Sequence, residues 1–135
     1  MARDSDTWSL SSFFSKYSGL EKLCLRGHFL LPLMPHLKHL VLNGFDGQRW
    51  SFSEDQMVSL SSLISINCLE ILELANFIFD TPRLASLVDA INDNTSLKNL
   101  CLKNNTFSSD NEMALVHMIH TNSSLEYLNL SFNAF

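Results

Sequence analysis

Apolar residues recur along this chain at two spacings, and the two alternate. In Leu69-Glu70-Ile71-Leu72-Glu73-Leu74-Ala75-Asn76-Phe77-Ile78-Phe79 they hold the first, fourth, sixth and eleventh places. The same places are apolar in Leu97 to Phe107 and again in Leu125 to Phe135, so the copies follow one another at a constant interval. The central Leu-x-Leu of each copy has the period of a half-buried strand. Between the copies the period changes. Leu84, Leu87, Val88 and Ile91 fall at i, i+3, i+4 and i+7, one face of a helix. That helix is expected to open at Asp80-Thr81-Pro82, where an N-cap residue precedes a proline that needs no donor. Ser51-Phe52-Ser53-Glu54 and Ser109-Asp110-Asn111-Glu112 read as capping boxes for two further helices. Asn94 and Asn122 stand where helices should end. In the last helix Leu115, Val116 and Ile119 define the expected buried face.

Two weaker copies lie upstream. Leu37, Leu40 and Leu42 form one, and Leu20, Leu23 and Leu25 the other. The copies thus begin at Leu20, Leu37, Leu69, Leu97 and Leu125, in steps of 17, 32, 28 and 28. This spacing predicts strands near 22–26, 39–43, 71–75, 99–103 and 127–131. The step of 17 is too short for a full helix, and Pro32 and Pro35 make residues 29–35 an extended or one-turn link. Asp46-Gly47 marks a turn in the step of 32, with Trp50 and Phe52 as apolar cover. Leu10, Phe13, Phe14 and Tyr17 fit a helical face, so residues 1–19 are expected to cap the first end of the stack. A single domain over 1–135 follows.

Leu-x-x-Leu-x-Leu-x-x-Asn-x-(apolar) resembles the leucine-rich repeat signature, and the resemblance covers nearly the whole chain. A period of 28 with helices between strands is similar to the ribonuclease-inhibitor-like subclass, which includes sensor arms of NOD-like receptors, Ran GTPase-activating protein and tropomodulin. The resemblance implies an α/β solenoid: right-handed strand-helix repeats, a parallel sheet on the concave face and helices on the convex face. It also gives Asn105 and Asn133 the role of satisfying turn backbone, a place taken here by His28, Phe45 and Phe77 in the other copies. Phe79, Phe107 and Phe135, with Phe77 and Phe132 nearby, are then core filling.

Stacking sets matching places side by side, so each place can be read as a stripe. The second place carries Glu21, Lys38, Glu70, Lys98 and Glu126, strictly alternating in sign and suited to a cross-strand ladder. The next stripes run Lys22, His39, Ile71, Asn99, Tyr127; then Cys24, Val41, Glu73, Cys101, Asn129; then Arg26, Asn43, Ala75, Lys103, Ser131. In the family these make the concave face, where protein partners commonly bind. The expected partner-binding set is therefore Lys22, Arg26, His39, Asn43, Ile71, Glu73, Asn99, Lys103, Tyr127 and Asn129. Tyr127 and Arg26 are its leading anchors, because Tyr and Arg are enriched at interface hot spots.

Composition narrows the setting. The chain has 135 residues, 46% of them hydrophobic, and a net charge of −5 that disfavours nucleic acid or an anionic membrane as main partner. No secretion signal or membrane-length apolar run is present. Cys24 and Cys101 fall three strands apart, roughly 14 Å, too far for a bridge. Free thiols suit a reducing, cytoplasmic setting, including that of a bacterial effector delivered to a host. Asn-x-Ser/Thr occurs at Asn94, Asn104, Asn122 and Asn129, where structural roles in turns and helix ends are preferred to glycosylation.

No catalytic constellation is found. Cys24 with His28, His36 with His39, and His117 with His120 lack a zinc-spaced partner set, and the last pair is expected to face outward. There is no phosphate loop or nucleophile elbow. The expectation is a non-enzymatic interaction module without metal or cofactor. Regulation of a small GTPase is the alternative that fold analogy offers. A structural role as a piece of a larger repeat protein is another. The final copy has strand and turn but no cap, so either more sequence follows or a second copy meets that end.

Overall fold

The computed structural model describes residues 19–26, 34–44, 50–108 and 111–133. The expected amino-terminal helix, His28, Phe45, Asp46-Gly47, Phe135 and most of the 29–35 link lie outside the described residues.

The fold is α/β with parallel sheets. Strands β1 (Lys22–Arg26), β2 (His39–Asn43), β4 (Ile71–Ala75), β6 (Asn99–Cys101) and β8 (Tyr127–Asn129) form a five-stranded sheet in chain order. Helices α1 (Glu54–Ser65), α2 (Thr81–Asp93) and α3 (Glu112–Thr121) connect successive strands from β2 onward and lie side by side, α1 on α2 and α2 on α3. The pairing register is Lys22 with His39, His39 with Ile71, Ile71 with Asn99 and Asn99 with Tyr127. Those partners follow the same uneven steps along the chain as the leucines that open each copy. One face of this sheet is a leucine wall. Leu40, Leu42, Leu72, Leu74, Leu100 and Leu102 are fully buried and join Leu60, Leu63, Leu84, Leu87, Ile91, Leu115 and Met118 of the helices in one cluster.

A second sheet was not legible in the leucine spacing. Strands β3 (Trp50–Ser51), β5 (Phe77–Phe79) and β7 (Thr106–Phe107) run parallel at the entrances to the three helices. Its inward side is the expected phenylalanine stack. Phe52 stacks on Phe77 at 4.3 Å between centroids, and Phe79 stacks on Phe107 at 5.5 Å. All four rings are buried, each contributing on the order of 2–3 kcal/mol of transfer free energy. Phe132 does not belong with them. It is exposed, at a left-handed φ of 61°, so its side chain leaves the core direction.

The turn after each central strand follows one plan. Asn76 and Asn104 take φ of 67° and 58°, a region that asparagine tolerates better than most residues. Their amides form a ladder: Asn104 Nδ2 donates to Asn76 Oδ1, and Asn76 Nδ2 to Asn43 Oδ1, each at 2.5 Å. Gly44 holds the matching place on the second strand. A Cβ there would stand 2.3 Å from the Asn76 carbonyl oxygen, so only glycine fits this close approach. Asn105 lies buried beneath the turn. Its Oδ1 accepts from the Phe77 N–H at 2.9 Å, and its Nδ2 donates to the Leu74 and Leu102 carbonyls. Asn133 repeats this for the Asn105 N–H and the Leu102 and Leu130 carbonyls. Phe77, lacking the asparagine, thus has its backbone satisfied by the next copy's side chain.

Helix ends match the reading at some points and correct it at others. Asp80 caps α2, accepting from Arg83 N–H at 3.1 Å. Asn94 and Asn122 end α2 and α3 and reach back one step: their Nδ2 groups donate to the Ile64 and Ile91 carbonyls. Their Oδ1 atoms accept the N–H groups of Leu97 and Leu125. At α1 the capping box is Ser53 with Gln56, beyond the expected start at Ser51, because Ser51 is held in β3. The expected box before α3 rests on Ser109, which like Asp110 lies outside the described residues. Asn111 makes no side-chain cap but donates to the Phe79 carbonyl at 2.8 Å.

The buried face of α3 is also corrected. Leu115 and Met118 are buried, whereas Val116 and Ile119 are exposed. His117 and His120 face outward as expected.

Candidate binding face

Strand alternation puts the leucines of the five-stranded sheet on one side and a mixed set on the other. The outer side is the candidate site. Its first row is Lys22, His39, Ile71, Asn99 and Tyr127, continuous in register across all five strands. The second row is Cys24, Val41, Glu73, Cys101 and Asn129, equally continuous. Lys22, Cys24 and Tyr127 are exposed, and the residues between them are half-buried by neighbouring side chains.

The third row is shorter than the spacing suggested. Arg26, Asn43 and Ala75 pair in register, but β6 ends at Cys101 and β8 at Asn129. Lys103 and Ser131 therefore sit in turns, each followed by a left-handed residue, Asn104 and Phe132. Asn43 is committed to the amide ladder of the turns. The structure also separates the two leading anchors. Arg26 on β1 and Tyr127 on β8 are four strand spacings apart, about 19 Å, so a partner touching both must span the sheet.

One contact on this face was missed. His39 Nε2 lies 2.6 Å from Glu73 Oε2, an imidazole N–H donating to a carboxylate diagonally across β2 and β4. The two are far apart along the chain, and the parallel pairing of β2 with β4, which sets Val41 opposite Glu73, brings them together. Sheet geometry would have found the pair, since diagonal neighbours are within reach of long side chains. Beside it lie Val41, Ile71 and Ala75, a half-buried apolar strip at the centre of the face. What this arrangement offers chemically is shape, one fixed polar pair, and cations at the β1 edge.

The alternating charge row borders the face at the start of the strands. Its backbone is in ladder register: the carbonyls of Glu21, Lys38, Glu70 and Lys98 each accept two N–H groups from the following strand. Lys38 Nζ donates to Glu70 Oε2 at 3.1 Å, and Lys98 lies 3.8 Å from Glu126. The hydrogen bond to Glu70 and then its charge hold the Lys38 ammonium above the usual lysine range. A raised lysine pKa contributes below the unfolded value and is lost only as pH rises through the folded one. Lys38 thus keeps its charge throughout the neutral range.

Among the described residues, no cluster of three or more His, Cys, Asp and Glu is placed to hold a metal ion. Cys24, Cys68 and Cys101 are unpaired thiols. No described helix is long and apolar enough to cross a membrane. No family model and no curated protein matches this chain.

Proposed function

We propose that this chain is a leucine-rich repeat solenoid of the ribonuclease-inhibitor-like kind, a non-enzymatic module whose outer sheet face, concave in that family, binds a protein partner. The observation that carries the reading is the unbroken register of the first two rows across five parallel strands. It supports a continuous surface of aligned side chains backed by a rigid leucine wall, the kind of scaffold on which repeat proteins bind. The mixture of an apolar strip, an exposed tyrosine and scattered charge suits a protein partner, since interfaces combine apolar anchors with polar surroundings. The unpaired thiols favour a reducing, intracellular setting. Use of the Asn94, Asn104 and Asn122 side-chain nitrogens as donors favours structural over glycosylation roles for those residues.

Affinity capture tests the reading. Ile71→Glu and Tyr127→Ala alter exposed or half-buried positions, so their melting temperatures should stay within about 3 °C of the parent. Each is expected to lose at least about tenfold in partner affinity, as hot-spot truncations do. Undiminished capture by both variants would rule out this face.

A further inference from the structure

Charge is divided between the two sides of this fold. Among the described residues, the helices and their caps carry Glu54, Asp55, Asp80, Asp89, Asp93 and Glu112, all exposed. Arg83 is the one described lysine or arginine on that side. The border row at the strand starts is close to balanced, with Lys38 paired to Glu70 and Lys98 to Glu126. The outer sheet face has the opposite sign. Lys22, Arg26 and Lys103 are exposed there, and Glu73, engaged by His39, is its one described carboxylate. Among the described residues, no carboxylate pairs with Lys22 or Lys103. A chain of net charge −5 thus presents a cationic sheet face. The helical acids lie a helix diameter, about 10 Å, behind the sheet. That exceeds the screening length of about 8 Å at physiological salt, so the face's own residues set the field a partner meets.

Resting on the reading that this face binds a protein partner, we propose that the partner presents an acidic segment with an apolar residue among its carboxylates. The carboxylates meet Lys22, Arg26 and Lys103, and the apolar side chain meets the half-buried strip of Val41, Ile71 and Ala75. Lys22 and Ile71 share one row, with His39 between them. They are two strand spacings apart, about 10 Å, which an extended segment covers in about three residues. An acid three positions from the apolar residue therefore reaches Lys22 while that residue sits on Ile71. The acidic helical side repels the same segment, so charge also selects the side on which it lands. A nucleic acid would match the cations but not the aliphatic strip, because bases stack on aromatic platforms.

Selection of random peptides displayed on phage against the full chain, followed by calorimetric titration of the recovered sequences, tests the proposal. The expected result is enrichment of Asp and Glu around an apolar residue, with binding that weakens as salt rises. The double variant Lys22→Glu, Lys103→Glu should weaken a recovered peptide by at least about tenfold while keeping the parent circular dichroism spectrum. Lys22→Gln with Lys103→Gln should give a smaller loss in the same direction. Ser62→Glu with Ser86→Glu, at exposed sites on α1 and α2, should bind the peptide like the parent. Neutral or basic peptides that lose binding to Ile71→Glu overturn the acidic segment and leave the sheet face as the binding side. Recovery of no binding peptide, or of peptides that bind Ile71→Glu undiminished, removes the face and the proposal with it. Folded lysine variants that bind an acidic peptide normally overturn the assigned contacts. Tighter binding of an oligouridylate than of any recovered peptide overturns the proposal in favour of nucleic acid.

Discussion

Phe79→Ala is expected to lower the unfolding free energy by about 3–5 kcal/mol, the range for emptying a phenylalanine site in a packed core. Phe79 is fully buried and lies at the junction of the ring stack, 5.7 Å from Phe52, 6.3 Å from Phe77 and 5.5 Å from Phe107. Those neighbours come from three successive steps along the chain; Phe77 and Phe107 are held in the three-stranded sheet, and Phe52 directly follows its strand β3. They therefore cannot collapse into the void, which places the cost toward the upper part of the range. Phe79→Leu retains most of the apolar area and should cost markedly less. Urea denaturation followed by circular dichroism checks both, and a Phe79→Ala loss under about 1 kcal/mol would mean that the stack is not a core element.

Asn105→Ala should be nearly as severe, on the order of 3 kcal/mol, although it removes only one amide. The side chain is completely buried and serves three backbone groups: the Phe77 N–H and the Leu74 and Leu102 carbonyls. Alanine takes this partner from the Phe77 N–H and the Leu74 carbonyl, while the Leu102 carbonyl keeps the Asn133 Nδ2; a buried polar group left without a partner costs about 1–3 kcal/mol. Water entering the site would recover part of that. Asn105→Asp separates hydrogen bonding from volume. The carboxylate keeps the acceptor for Phe77 but turns an oxygen toward two carbonyls, so at neutral pH it should be at least as damaging as alanine. Acid should restore part of the loss, since a protonated carboxyl can donate to one carbonyl. Equal stability of Asn105→Asp and the parent at neutral pH would refute the assigned bonding.

The strand positions were legible in the sequence because a half-buried strand with a leucine wall leaves only one alternation to read. Asn94, Asn105 and Asn122 were legible for a related reason: a side chain that serves fixed backbone groups must recur at the structural period. Other features depended on contacts that no local pattern carries. Ser51-x-x-Glu54 and Ser53-x-x-Gln56 both match a capping box, and pairing of Trp50–Ser51 with Phe77–Ile78 decides between them. Helix α3 is apolar at 113–116 and again at 118–119, so its period does not single out a face. Met118 was overlooked there, and Val116 and Ile119 are exposed because no described element lies against them. The His39–Glu73 pair needed the strand order as well as the register. Left-handed turn residues could have been found: Asn76 and Asn104 stand one full period apart, and Gly44 precedes them at the irregular step.

The central claim is that the outer sheet face, and not the helical side, receives the partner. The helical side has its own groove between α1 and α2, lined by Val58, Ser61, Ser65, Ser86 and Asp89, so the two sites can be set against each other. Hydroxyl-radical footprinting of the chain alone and in its captured complex measures the difference directly. The account predicts that Cys24, Ile71 and Tyr127 become protected on binding while Val58 and Pro82 keep their reactivity. Protection of Val58 and Pro82 with the sheet face unchanged would contradict it.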